Sequence, residues 1–195
     1  MTGTYDWNPM PHKVDICCPS CQKLAHFEFC EVVKICLKKD IGFFQNSNLF
    51  EYQLFQNSCG GRWHGAIYCM GLHGNSVAAI SNLPEGYSPE DWNHSKSLYR
   101  SHGQDIGTIQ CAGCGLIKKH ELDWENEAYF SITYKGKHLW AFNRESAQEL
   151  MKYINSKDRN LDKYTWSNFL LHIPSVFKKQ SARDNIVKSL SKLLS

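Results

Sequence analysis

Two cysteine pairs share the same internal spacing, Cys18-Pro-Ser-Cys21 and Cys111-Ala-Gly-Cys114, and 89 residues of a 195-residue chain lie between them. Two thiolates separated by two residues grip a metal ion from a tight turn, which is why proline or glycine accompanies such pairs. Four of them close a tetrahedron around one Zn²⁺ at about 2.3 Å. A short zinc ribbon separates its pairs by about 15–20 residues. The much longer separation here requires an inserted region, about residues 22–110, whose ends return to one place, as the ends of inserted segments commonly do.

Other chemistries compete for the same residues. A redox pair sits at the start of a helix, where the helix N-terminus lowers one thiol's pKa. Gly115 follows the second pair directly, and "GLIKKHEL" carries no apolar helical stripe. Unrelated buried thiols are a further alternative, because free cysteine is often buried. The spacing favours structural zinc, one ion on Cys18, Cys21, Cys111 and Cys114. Cys17 is an alternative to Cys18, although the two-residue spacing and Pro19 favour Cys18. His26 and His120 each follow a pair and are alternative ligands.

Nine cysteines are an odd number. The opening "MTGTYDWNPMPHKVD" lacks a charged region followed by an apolar stretch, so no secretory signal is read and a cytoplasmic location is expected. Thiols stay reduced there, which argues against a disulfide framework. Cys30, Cys36, Cys59 and Cys69 are accordingly expected as core thiols. No apolar run is long enough to span a membrane. The chain is 42% hydrophobic and 13% aromatic, enough to bury a core.

Hydrophobic pattern divides the chain into a β-rich first part and a helical last part. Leu24–Lys38 reads as one or two strands, Arg62–Leu72 and Asn75–Ser81 as strands joined at His73–Gly74, and Asp105–Cys111 as a strand. The stretch from Lys38 to Gly61 gives no clean period. Ser88 and Pro89 open a short helix. Ala128–Phe142 is the clearest hairpin, turning at Lys135–Gly136. Asn143 caps a helix carrying Ala147, Leu150, Met151 and Ile154, and Leu161–Ile173 reads as another. One or two more follow, with Ile186, Val187, Leu190, Leu193 and Leu194 on one face. The expected fold is α+β: a β-rich zinc-ribbon-type domain at 1–133 holding the insertion, then a hairpin and basic helical region at 134–195.

The "CPSC" pair, the distant "CAGCG" followed by "KKHELDW", the hairpin ending "LWAFN" and the tail "ARDNIVKSLSKLL" resemble a family of bacterial zinc-ribbon-containing proteins of undefined function. The resemblance is clearest over 107–195. It implies metal-ligand roles for Cys18, Cys21, Cys111 and Cys114 and carries no catalytic role to any residue.

Catalytic motifs are mostly absent: there is no GxxxxGK[ST], HExxH, GxSxG or strand-borne GxGxxG. "QLFQNSCGGRWHG" keeps a thiol-enzyme alternative open, with Cys59 as nucleophile, Gln53 as oxyanion donor, and His138 and Asn143 downstream. Trp63 is not adjacent to Cys59 and no helix pattern follows it, so Gly60-Gly61 is read first as a turn before the strand "RWHGAIY". His64, His73, His94 and His102 all fall in the inserted region without a helical i, i+4 pair.

The net charge of +3 hides an asymmetry. Residues 1–133 carry 10 Lys/Arg and 14 Asp/Glu, whereas residues 134–195 carry 12 and 5. Lys118 and Lys119 follow the second pair, and Lys178, Lys179, Arg183, Lys188 and Lys192 accompany a single acid, Asp184. These seven cations are the candidate contacts for nucleic acid or, alternatively, for a protein partner. Tyr134, Trp140, Tyr164 and Trp166 are candidate stacking residues, although for most of them burial statistics and spacing favour a place in the core.

Overall fold

Short strands need partners to be stable, and the sequence Lys13–Cys17 finds them on both sides. A computed structural model describes residues 10–56, 59–73, 80, 82–89, 92 and 105–195. Strand β1 (Lys13–Cys17) pairs antiparallel with β2 (Leu24–Phe29), β2 with β6 (Ile106–Gln110), and β6 with β7 (Ile117–Glu121). Alternation puts Val14, Ile16, Ala25, Phe27, Phe29 and Ile109 on the buried face of this four-stranded sheet. Gly107 is required on that face, because a Cβ there would stand 2.2 Å from the Phe27 ring.

The outer edge of β1 is closed by the chain around the hairpin. Asp15 N–H donates to Phe142 O, Cys17 N–H to Glu127 O, and Tyr129 N–H to Asp15 O. Strands β8 (Ser131–Tyr134) and β9 (Lys137–Trp140) form the hairpin as the sequence predicts, with Lys135 and Gly136 both at positive φ. Helix α3 (Arg144–Asn155) starts at the expected cap: Asn143 Oδ1 accepts Ser146 N–H, and Ser146 Oγ accepts Asn143 N–H. Its Ala147, Leu150 and Ile154 meet Ala182, Ile186 and Leu190 of α6 (Gln180–Leu194). Trp140, Phe142, Phe169 and Phe177 join the same core as the β1 and β2 side chains, so hairpin and helices share one core with the sheet.

The second sheet lies in the chain between the two cysteine pairs. It is built from β3 (Glu31–Lys34), β5 (Arg62–Tyr68) and β4 (Glu51–Gln56), in that order, all antiparallel. Helix α1 (Ile41–Asn46) brings Phe44 against Phe50, Tyr68 and Trp92 on one face, and Cys30, Val32, Phe55, Ile67 and Cys69 pack on the other. Gly65 has no side chain because Phe55 and Trp63 stack over it. Cys30 N–H donates to Ile106 O, and α2 (Met70–His73) accepts from Gln110 through Gly71 O, which moors this sheet to β6.

Several expectations change. The patternless stretch contains both α1 and β4; β4 is an edge strand with Leu54 exposed and only Phe55 buried, so it shows no alternation. The strand expected to run to Leu72 stops at Tyr68 and turns into α2. The single helix expected over Leu161–Ile173 is a 3₁₀ turn at Leu161–Lys163, extended backbone at Tyr164, and α4 (Ser167–Leu171). Glu149 takes the Thr165 and Trp166 N–H groups and so fixes where α4 begins. Helix α5 (Ser175–Lys178) then precedes α6. The predicted strand Asn75–Ser81 and the helix after Pro89 fall largely outside the described residues.

The four expected core thiols separate. Cys30 and Cys69 are buried but joined in a disulfide, whereas Cys36 and Cys59 are exposed. Cys36 follows β3 on the loop, its thiol directed to Lys34 O, and Cys59 sits in the turn at Gly60. No described helix is long and apolar enough to cross a membrane.

Candidate metal centre

The two pairs form turns with the same hydrogen bonds. In the first, Cys18 N–H donates to Lys23 O and Gln22 N–H to Cys18 O, both at 2.8 Å. In the second, Cys111 N–H donates to Leu116 O at 2.9 Å and Gly115 N–H to Cys111 O at 2.8 Å. Each turn reverses through a left-handed residue directly after its second cysteine, Gln22 at φ 59° and Gly115 at φ 72°. The first turn joins β1 to β2 and the second joins β6 to β7. Because β2 and β6 are neighbours in the sheet, the turns stand side by side.

All four sulfurs lie within 4.8 Å of one another. Cys18 Sγ is 3.7 Å from Cys114 Sγ, and Cys21 Sγ is 3.6 Å from Cys111 Sγ. Sulfurs at the corners of a tetrahedron with 2.3 Å metal–sulfur bonds stand about 3.8 Å apart, so the cluster has the dimensions of a four-thiolate metal site. Cys18 and Cys111 are buried, Cys21 half-buried and Cys114 exposed. The site opens at one corner only.

Thiols this close influence one another's ionisation. Burial pushes the Cys18 thiol up, but the N–H groups of Cys21 and Ser20 and the thiols of Cys111 and Cys114 bring it down to about 7. At Cys21 the Lys23 N–H favours the thiolate, yet burial and the three neighbouring thiols push the group up to about 12. One sulfur ionises readily and the next is held back by its neighbours. A divalent cation relieves that repulsion, since metal binding displaces thiol protons.

The rival readings do not match this geometry. The close sulfur pairs are formed between the two turns, and each turn leads into a strand instead of a helix start. Cys17 lies outside the cluster, its thiol pushed up by burial and by the Glu127 charge. His26 Nδ1 is 2.7 Å from Asp15 Oδ1, and His120 Nε2 is 2.8 Å from Glu127 Oε1, so both rings are committed elsewhere. Among the described residues this is the one cluster of three or more His, Cys, Asp or Glu able to hold a metal ion.

The thiol-enzyme residues are dispersed. Cys59 lies beyond β4 in the second sheet, and Gln53 is on β4. His138 is on β9, its Nδ1 3.2 Å from Thr133 Oγ1, and Asn143 spends its side-chain oxygen on the α3 cap. His64 pairs with Tyr52 and His73 stacks on Tyr68, while His94 and His102 lie outside the described residues.

Lys118 and Lys119 are both exposed on β7, and Lys119 is ion-paired to Glu51 of β4. Lys178 is half-buried at the end of α5, and Lys179 is exposed between α5 and α6. Arg183 is half-buried in the first turn of α6, whereas Lys188 and Lys192 are exposed one helical turn apart. Trp140 is fully in the core, while Tyr134, Tyr164 and Trp166 are half-buried. Sequence reasoning missed Gln22, since nothing in "CPSCQK" marks a left-handed position, whereas Gly115 marks the equivalent one.

No protein-family model matches the chain, and no curated protein or solved structure matches it either.

Proposed function

We propose that this chain is a non-enzymatic zinc protein in which one structural Zn²⁺ on Cys18, Cys21, Cys111 and Cys114 fixes a ribbon, and that its basic C-terminal part contacts nucleic acid within a larger complex. The observation that carries the zinc reading is the four-sulfur cluster held by two equivalent turns. Four thiolates fill the coordination shell and leave no position for a reactive water, which distinguishes a structural zinc from a catalytic one. Soft thiolate donors at tetrahedral spacing select zinc over magnesium or calcium.

The nucleic-acid reading is supported by charge. Residues 134–195 carry a net +7, and Lys179, Lys188 and Lys192 are exposed. The parts 1–133 and 134–195 share one core, so the division proposed between them is one of surface charge. Native mass spectrometry of the purified chain tests both halves: one zinc per chain is expected, and oligonucleotide binding is expected to weaken steeply as salt is raised. A metal-free folded chain, or no binding at low salt, overturns the corresponding half.

One observation favours a second reading, docking of a protein. Ile117, just past the second turn, is 60% exposed, more than any other large hydrophobic residue described. Capture of a protein partner that survives nuclease treatment and is lost in Ile117→Ser supports that reading over the first.

A further inference from the structure

The cations of the C-terminal part are not equivalent. Arg159 lies in the loop after α3, and its Nη2 donates to Lys178 O at 2.6 Å. Its guanidinium lies 5.7 Å from the Tyr153 ring centre, which orients the group. The Arg159 Nε–H is buried and has no hydrogen-bond partner among the described residues. Holding Lys178 by its carbonyl brings two positive side chains to one place. Burial and the Arg159 charge push the Lys178 ammonium down from the ordinary lysine range.

Among the described residues no acid is ion-paired to Arg159, Lys178, Lys179 or Arg183. Lys178 ends α5, and Lys179 is the residue between α5 and α6. Helix α6, 15 residues long, has no side-chain cap and no acid in its first turn, and that turn contains Arg183. The Arg183 Nε is also buried without a partner among the described residues. Cations at a helix N-terminus oppose the helix dipole, where acids are the usual choice. Of the acids nearest in sequence, Asp158 pairs with Lys163 at 2.7 Å, Asp162 is exposed in the 3₁₀ turn that follows Arg159, and Asp184 is exposed just after the first turn of α6. A planar guanidinium already fixed on one edge, an ammonium and the first N–H groups of α6, ahead of the Ala182 N–H that donates to Lys179 O at 3.0 Å, together make a donor set that phosphate oxygens accept.

We propose that Arg159, Lys178 and the Lys179–Arg183 start of α6 form a phosphate-binding site, with Arg159 as its anchor. The site deepens the nucleic-acid reading and rests on it for the identity of the ligand, a backbone phosphodiester. Lys188 and Lys192, farther along α6, then supply only general attraction. Phosphate contacts of this kind position a nucleic acid without reading its sequence.

The test uses the full zinc-loaded chain. Inorganic phosphate is titrated at ionic strength fixed with chloride, while NMR follows the Arg side-chain Nε–H signals and backbone amides. Saturating shifts are expected at Arg159 and Arg183 Nε–H and at the amides of Gln180 and Ser181, and they are expected to vanish in Arg159→Gln. Shifts reproduced by chloride alone, or spread evenly over Lys188 and Lys192, overturn the proposal. This titration of the unaltered chain decides the matter even where Arg159→Gln fails to fold.

A second arm uses a single-stranded oligonucleotide. Arg159→Gln is expected to weaken binding about tenfold and Lys188→Gln only about twofold, because a fixed bidentate contact outweighs a solvated one. Binding that Arg159→Gln leaves unchanged overturns the site while the nucleic-acid reading stands. Phosphate seated at Arg159 by a chain that binds no oligonucleotide upholds the site and ends the nucleic-acid reading.

Discussion

The two sheets are both antiparallel and both gather sulfur, yet in different forms. The β1-β2-β6-β7 sheet presents four thiols to one point and shares a large core with the hairpin and helices. The β3-β5-β4 sheet has two small cores, one on each face, and a Cys30–Cys69 disulfide. Small cores bury too little apolar area to hold a fold alone, so the β3-β5-β4 sheet draws on its disulfide, whereas the four-thiol cluster sits on a sheet that already has a large core. A chelator and a reductant should therefore act on different parts of one molecule.

Losing the metal should have the largest effect. Thiolate–zinc binding in small modules is worth roughly 10–16 kcal/mol, so Cys111→Ser or a strong chelator is expected to unfold the first sheet, read as lost near-ultraviolet circular dichroism. A chain that keeps its melting temperature without metal would break the contrast. Replacing Cys30 and Cys69 by alanine comes next, lowering stability by about 2–4 kcal/mol in urea while leaving the metal content at one ion. Metal loss in that variant would show the regions to be one unit.

Acid should act where the sheets join. His12 and Lys13 flank the Glu28 carboxylate, with Lys13 Nζ 3.1 Å from Glu28 Oε1. Burial pushes Glu28 up, but the hydrogen bonds from His12 and Lys13 and the charge beside it prevail and its pKa is lowered. A carboxyl that is more acidic folded than unfolded stabilises the fold above its unfolded pKa, and that contribution disappears as pH falls through the folded value. Stability measured against pH should therefore drop below about pH 4.5, where an unfolded glutamate gains its proton. Glu28→Gln should flatten that limb, at a cost on the order of 1–2 kcal/mol near neutrality.

The smallest effects separate the two cysteine turns. Gln22→Gly relieves a left-handed residue that carries a side chain, and Gly115→Ala creates one. Changes of about 1 kcal/mol in opposite directions are expected in thermal melts of the metal-loaded chain. Equal signs would mean that the turns are not equivalent.

The four sulfurs, the hairpin and the α3 cap were legible because each rests on local chemistry: a spacing, a two-residue turn, an asparagine three residues before a serine. Strand β4 was not, since an edge strand buries one residue in six and shows no period. The break before α4 was hidden too, because the group that fixes it is Glu149, in another helix. The disulfide depends on two residues 39 apart meeting across a strand pair, which no spacing rule encodes. Arg159 escaped notice because its partner is a backbone carbonyl, and sequence does not record where carbonyls point.

The separation of 90 residues between Cys21 and Cys111 also sets a schedule. A ribosome adds about 5–20 residues each second, so the first turn emerges roughly 5–20 s before the second exists. During that interval two of the four ligands are present without the others, and any ion they hold is held by half a site. The loop between them adds little entropic cost on closure, because that cost grows only with the logarithm of length. Delay, more than distance, is what this arrangement imposes on the newborn chain, and the last ligand to be made, Cys114, is also the one left facing solvent.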